Sequence, residues 1–484
     1  MMNRTLFACF ALAAAAAVSA APRNVLMMLA DDYGYMDIGA NNPKTFYETP
    51  NLDRLAAQGV RFTDGYAANP VCSPTRFSIQ TGRYPTRVGL TNWLPGVRVE
   101  RFENPPLTRE MPLEETTLAE VLRPAGYRTA FVGKWHLGEE EKFWPEAQGF
   151  DLNIAGWSKG SPSSYFAPYK NPRLEDGPVG EHLTMRLADE TCALLAKFKA
   201  EGKPFLLHHC FYDVHTPLQA PKDLVEKYRV KAERLGLKDA FDEEKQHYLS
   251  VKGPRQVRAV QSHALYAAMV ESLDTAVGKI LRQLDELGLA DDTLVVFTSD
   301  NGGLATSEGL PTCNYPLRGG KGWVYEGGIR EPFLIRMPGA AKPGSTNATP
   351  VMSIDIFPTA LEFAGVKIPA GLTIDGRSLV PLLRGGAAPA RDALCWHYPH
   401  YGNQGGFPGG AIRMGDWKLV ENYEDGAVAL YNLRDDLGEK RDLAAAQAER
   451  VRAMRARLHT WYRETGAKFL RAKAGGPEPW QPAN

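Results

Sequence analysis

Cys72-Ser73-Pro74-Thr75-Arg76, running on to Thr81-Gly82, brings a thiol, two hydroxyls and a guanidinium within five residues. In a chain with six cysteines, accidental C-x-P-[ST]-R matches number on the order of 10⁻³. Pro74 suits a first helical turn and Gly82 a helix stop, so Cys72 is expected at a helix amino terminus. Such an end offers free N–H groups and a positive pole to an anion. A lone cysteine is usually a small buried apolar side chain; here the pattern around it overturns that reading.

Four short runs must bring further chemistry to the same place. Asn24–Ala30, 128–132, Phe205–Cys210 and 293–298 have the unalternating apolar character of strands buried on both faces. Each leads into charged or ligating residues: Asp31-Asp32, Gly133-Lys134-Trp135-His136, His215, and Asp300-Asn301. Helical patterns lie between them. Pro50–Gln58 has Thr49 as cap and Gly59 as stop, and 262–287 carries an apolar stripe of Leu265, Met269, Leu273, Ala276, Ile280, Leu284 and Leu287. Strands alternating with helices predict an α/β fold, a large mostly parallel sheet sandwiched by helices. Function in such sheets gathers at the carboxyl ends of the strands. From Gly371 onward the pattern changes: Trp417–Asn422 and Val428–Asn432 flank Glu424-Asp425-Gly426 as a hairpin, and 446–464 reads as a helix. The expected division is 1–20 signal peptide, 21–370 catalytic domain and 371–484 smaller α+β subdomain.

Composition narrows the class. The chain has 484 residues, 44% hydrophobic and 23% charged, enough for a large core. Fifty-six basic residues balance 56 acidic ones, which removes any global reason to bind nucleic acid or an anionic membrane. An anion must therefore be gripped locally. Six cysteines, none in a CxxC pair, exclude a disulfide-built scaffold or a zinc ribbon. Arg4, the apolar 6–18 and Val18-Ser19-Ala20 read as a secretory signal with the mature chain starting at Ala21. Leu6-Phe7-Ala8-Cys9 precedes most of the apolar segment, so lipidation is discounted. No later stretch is long and apolar enough to span a bilayer, and an exported protein, periplasmic or secreted, is expected.

Taken together, the sequence resembles the formylglycine-dependent (type I) sulfatases of the alkaline phosphatase superfamily. Cys72 to Gly82 matches their first signature, with Ile79 where Leu is usual. Gly126-Tyr127-Arg128-Thr129 through Gly133-Lys134-Trp135-His136 nearly meets the second, one residue rather than two separating Lys134 from His136. Further likeness lies at Asp31-Asp32-Tyr33-Gly34, His215-Thr216-Pro217, Ser299-Asp300-Asn301-Gly302, Gly320-Lys321-Gly322 and Glu326-Gly327-Gly328-Ile329-Arg330-Glu331-Pro332, in family order over roughly residues 24–440.

The resemblance implies that a separate maturase oxidises Cys72 to formylglycine, which hydrates to a gem-diol. One hydroxyl attacks sulfur and the other drives release by collapse to the aldehyde, whereas an ordinary Ser or Cys nucleophile would keep a stable ester. Asp31, Asp32, Asp300 and Asn301 supply only oxygen ligands and, with the nucleophile at Cys72, suit a single hard cation: Ca²⁺, with Mg²⁺ the alternative, and not zinc. Arg76, Lys134 and Lys321 would neutralise the sulfate, His136 would act as base and His215 as acid. His208-His209, inside a strand-like run, are read as structural.

Similar exported bacterial sulfatases act on polysaccharides and carry segments like Leu90-Thr91-Asn92-Trp93-Leu94-Pro95-Gly96 and the aromatic, glycine-flanked loop from Trp396 to Gly406. A galactose or N-acetylgalactosamine 4-sulfate end group is the preferred substrate, with Asn314, His397 and His400 expected to touch the sugar. The rival readings are a phosphate or phosphonate monoester hydrolase of the same superfamily and a non-catalytic carbohydrate-binding relative. Pairing of Cys192, Cys210, Cys313 and Cys395 stays open, since four cysteines allow three full pairings.

Overall fold

The uninterrupted apolar runs become the centre of one sheet. The computed structural model describes residues 23–96, 98–245 and 253–482, so the expected signal at 1–20 lies outside the described residues. Asn24–Ala30 (β1), Val60–Phe62 (β2), Arg128–Gly133 (β3), Leu152–Ile154 (β4), Phe205–Cys210 (β5), Thr293–Ser299 (β6), Phe333–Arg336 (β7) and Ser345–Asn347 (β8) form an eight-stranded sheet in the order β8-β2-β7-β6-β1-β5-β3-β4. Every residue of β1, β5 and β6 is buried, as continuous apolar strands require when both sheet faces are covered. Only β7 runs antiparallel to its neighbours.

Side chains of β1 alternate between two cores. Leu26, Met28 and Ala30 face helices Pro50–Gln58 (α1), Leu183–Glu201 (α3) and Ala264–Glu286 (α4); Val25, Met27 and Leu29 face Cys72–Thr81 (α2) and Ile356–Ala364 (α5). The stripe predicted for 262–287 is real, with Met269, Leu273, Ala276, Ile280 and Leu284 fully buried. The helix starts at Ala264 because the His263 side chain caps it by accepting from the Tyr266 N–H. The described cysteines, Cys72, Cys192, Cys210, Cys313 and Cys395, are all free and buried, so none of the three pairings forms.

Beyond the large sheet, Leu394–Tyr398 (β9), Gly409–Met414 (β10), Trp417–Asn422 (β11) and Val428–Asn432 (β12) make an antiparallel sheet in chain order, with Ala448–Thr465 (α6) packed on it. Trp396, Leu419 and Tyr462 share a core with Tyr66, Trp323 and Tyr325 from the larger part. Lys418 of β11, fully buried, lies 2.9 Å from both Glu326 and Glu439. Among the described residues no helix is long and apolar enough to cross a membrane.

Candidate active site

Register decides where the chemistry gathers. Leu29 pairs with Cys210, Ala30 with Ser299 and Gly133 with Cys210, so β1, β3, β5 and β6 end at one edge. Asp31-Asp32, Lys134-Trp135-His136, His215 and Asp300-Asn301 follow these ends and meet there. Arg76 and Cys72 come from α2, whose first residue is Cys72 and whose last turn is closed by Gly82 at a φ of 67°. Lys321 comes from the loop between β6 and β7. All are buried except His215, whose side chain is 15% exposed.

Burying six charges is tolerable only if each has a partner. Lys134 Nζ is 2.6 Å from Asp31 Oδ2, Lys321 Nζ is 2.8 Å from Asp32 Oδ1, and Arg76 Nη2 is 2.7 Å from Asp300 Oδ2. Three carboxylates thus face three cations, with Asp31 also 3.9 Å from Arg76. Arg76 Nη1 also donates to the Lys134 carbonyl at 2.7 Å, which locks α2 to the end of β3. Burial raises Asp32, but Lys321 and His215 beside it win and hold its carboxyl below the usual range. Burial also pushes the Cys72 thiol up despite Lys134 and Lys321, so as a thiol it is a weak nucleophile.

His136 Nδ1 lies 3.4 Å from Cys72 Sγ, while its Nε2 sits against the Leu94 carbonyl. A carbonyl only accepts, so Nε2 carries the proton and the neutral ring turns its Nδ1 lone pair toward residue 72. Burial and the Lys134 charge keep this imidazole well below the ordinary histidine range. Ser73 Oγ donates to the His136 carbonyl at 2.9 Å and accepts from Leu94 N–H at 3.1 Å, fixing both ends of the arrangement. A Cβ added to Gly160 would stand 2.3 Å from His136 Cε1, so this glycine is the surface on which the ring lies. Ser73 stood inside the motif without a role and Gly160 gave no sequence signal, because a ring resting on bare backbone leaves no periodicity.

Asp32 and His136 both adopt a φ of 58°, a region that non-glycine residues seldom occupy. Their N–H groups are anchored on Asp300 Oδ1 at 3.3 Å and on the Trp157 carbonyl at 3.2 Å. His215 gives Nδ1–H to the Thr216 carbonyl at 2.8 Å, leaving Nε2 3.7 Å from Asp32 Oδ2. Burial and Lys321 bring it down to about 4 although Asp32 pulls the other way, so it is neutral at pH 7. His208 and His209 are held to Gln80 and Thr191 inside the fold, as the sequence reading expected of structural histidines.

The oxygen atoms at this edge suit a cation. Asp31 Oδ1 and Asn301 Oδ1 are buried with no hydrogen-bond partner among the described residues. Such oxygens are costly unless something satisfies them. Asn301 Nδ2 donates to Asp32 Oδ1 at 2.7 Å, tying the two pairs together, and Asp31, Asp32 and His215 each offer a ligand atom within 4.8 Å of one another. Oxygens dominate, which fits a hard divalent cation.

Cys72, His136, His215 and Lys321 line a cleft of about 290 Å³ whose walls include Trp93, Leu94, Gly160, Glu308, Asn403 and Gln404. The residues expected to touch a sugar are elsewhere, and these expectations are corrected. His397 points from β9 into a cluster of Tyr423, Tyr462 and Phe469, with its ring nitrogens bonded to Tyr423 Oη and the Lys468 carbonyl. His400 Nε2 is 2.8 Å from Thr91 Oγ1 in the interior. Asn314 Nδ2 donates to the Gly303, Gly319 and Gly327 carbonyls, stapling the loop after Asn301 to the loop bearing Lys321. None of the three lines the cleft, although the two segments suspected of binding sugar do reach it, through Trp93 and through Asn403 and Gln404.

Comparison with known proteins agrees with this geometry. A sulfatase family model matches residues 23–366, and a model of the N-sulphoglucosamine sulphohydrolase C-terminal region matches 320–465. A sulfatase of Formosa agariphila is 32% identical over 87% of this chain and 84% of its own. Human arylsulfatase A is 34% identical over 84% of this chain and 76% of its own. The structure of Ps i-CgsB in complex with k-i-k-neocarrahexaose superposes with a TM-score of 0.73 at 27% identity, covering 91% and 92% of the two chains. Charged sheet edge, α2 motif and relatives lead to the same place: the chain belongs to the sulfatase family, with the alkaline-phosphatase-like fold, and is a sulfuric ester hydrolase.

Proposed function

We propose that the protein removes sulfate from a sulfated carbohydrate, a galactose or N-acetylgalactosamine 4-sulfate end group being the preferred substrate, after export to the periplasm or beyond. The observation that carries this reading is the lining of the cleft, which residue 72, 3.4 Å from His136 Nδ1, shares with His136 and the Lys321 cation. The sugar part is supported by the carbohydrate bound to the similar Ps i-CgsB.

In this reading residue 72 carries formylglycine made from Cys72 by a maturase, and its hydrated form supplies the attacking hydroxyl. Asp31, Asp32, Asp300, Asn301 and residue 72 would hold a single Ca²⁺, which supplies Lewis acidity toward a sulfate oxygen. The chain's own groups do the rest. Arg76, Lys134 and Lys321, all buried at the sheet edge, would present fixed positive charge to the ester. His136 Nδ1 takes a proton from the group at residue 72. His215 Nδ1–H is engaged by Thr216, so a proton for the leaving alcohol passes through Nε2. A bound sulfate beside that ring favours the charged imidazolium needed for the transfer.

The test is the mass of the Cys72 peptide from protein made with an active maturase, read alongside turnover of an aryl sulfate, sulfated galactosides and matched phosphate esters. Thiol-to-aldehyde conversion with sulfate turnover far above phosphate turnover is expected. An unmodified thiol, or preferred phosphate cleavage, overturns the reading.

A further inference from the structure

The cleft has one wall whose charge opposes its floor. Glu308 lines it, and its negative charge reaches Lys321, helping to keep that ammonium protonated. The other carboxylate on the lining, Glu139, is paired with Lys159 at 3.1 Å on the exposed rim. Glu308 is held differently. Oε1 accepts from Asn403 Nδ2 at 3.0 Å and Gln404 Nε2 at 3.1 Å, and Oε2 from Thr216 Oγ1 at 3.3 Å. These partners are neutral amides and a hydroxyl, so none of them is a counter-ion.

A carboxylate has about four acceptor directions, and three are occupied. The turn that presents it is unusual, with Glu308, Gly309 and Leu310 at φ values of 53°, 91° and 52°. Two of these three residues carry side chains where glycine is favoured. Close by, Gln404 Oε1 is buried with no hydrogen-bond partner among the described residues. Trp93 is also on the lining, an aromatic side chain of the kind suited to the C–H side of a sugar ring. A fixed negative charge beside an anion-binding floor weakens the grip on sulfate itself, so it is useful only for what else the substrate carries: hydrogen-bond donors.

Resting on the carbohydrate-sulfatase reading, we propose that Glu308 reads the hydroxyl next to the sulfated carbon, and that it rejects sugars carrying a second anionic group at that position. The substrate is then a sugar with a free neighbouring hydroxyl and not a vicinal disulfate. The hydroxyl donates to the carboxylate as a charge-assisted bond, whereas a second sulfate would meet like charge.

The experiment uses the mature, Ca²⁺-loaded enzyme and its Glu308→Gln and Glu308→Ala variants. The substrates are an aryl sulfate, a monosulfated galactoside, its analogue deoxygenated beside the sulfate, and the vicinal disulfate. For Glu308→Ala, the ratio of kcat/KM on the galactoside to that on the aryl sulfate should fall on the order of 10–100-fold. That fall should vanish with the deoxy analogue, and Glu308→Gln should turn over the disulfate at least about tenfold better than the wild type. A damaged fold cannot produce the last two results. If the wild type cuts the galactoside and both variants keep its sugar-to-aryl ratio, the role of Glu308 fails alone. If the wild type cuts only the aryl sulfate, the carbohydrate reading fails and takes this inference with it.

Discussion

His136 faces Cys72 with the ring nitrogen that carries no proton: Nδ1 is 3.4 Å from Sγ, because Nε2–H is engaged by the Leu94 carbonyl. The direction of this proposed base is therefore set by the cleft-lining loop at Trp93 to Pro95 and not by the strand that delivers it. Removing the base with His136→Ala should lower kcat by about 10²–10⁴-fold. Gly160→Ala should give a similar symptom without touching the imidazole, since its methyl occupies the space of the ring. We expect a loss of about 10²-fold in kcat with an unchanged circular dichroism spectrum; full activity would show that the ring has another resting place.

For His215 the expected signature is selectivity. If Nε2 delivers the proton to the departing alcohol, His215→Ala should slow alkyl or sugar sulfates far more than activated aryl sulfates, whose phenolate leaves unaided. A Brønsted plot over a series of aryl sulfates checks this: the dependence on leaving-group pKa should steepen in the variant. Parallel plots would remove the acid role.

Binding of the cation has a readout independent of turnover. Protein freed of metal with a chelator should gain stability when Ca²⁺ is restored, by about 2.7 kcal/mol at a concentration one hundred times Kd. Asn301→Ala removes an oxygen that has no other described partner and should shrink that gain. Calorimetric melts with and without Ca²⁺ measure both effects, and a melt indifferent to Ca²⁺ would contradict the ligand set.

Stability should depend on pH through Glu439, which does not line the cleft. Burial and the neighbouring Glu326 push its carboxyl up to about 7, although Lys418 opposes them. Between pH 4.5 and 7 the folded chain therefore holds a proton that the unfolded chain releases. Stability from this group is full below about pH 4.5 and is lost as pH rises through 7. The loss amounts to about 3 kcal/mol between pH 4.5 and 8. Denaturant titrations across that range, repeated on Glu439→Gln, should show a steeper slope in the native protein than in the variant, where the buried Asp37 and Asp213, also raised to about 7, still contribute.

Much of this was legible in the residues themselves. β1 and β5 begin and end where the apolar runs do, since a strand covered on both faces has no reason to alternate. The site was legible because its members stand directly after those strands. The residue that joins the ends, Asn314, was noticed but misassigned: an amide can bond a sugar or a carbonyl, and only the three carbonyls gathered around Nδ2 decide which. His397 failed for a geometric reason. Pairing of β9 with β10 fixes which way residue 397 points, and that pairing is invisible before the sheet is built. Glu308 was missed because a lone acid in an irregular turn resembles any solvated charge.

The site is also separated in time. Asp32 and Asp300 touch across 268 positions of the chain. At about 5–20 residues per second of synthesis, the first acidic pair waits tens of seconds on the ribosome for the second. Until its end β1 lacks β6 and, for the first two thirds, β5 as well, so α2 has no completed sheet to lie against and Cys72, only 2% exposed in the finished fold, is not yet enclosed. Under the proposed function, in which Cys72 becomes formylglycine, a maturase meeting the closed sheet would have to work through a cleft of about 290 Å³, which favours conversion before the sheet is complete.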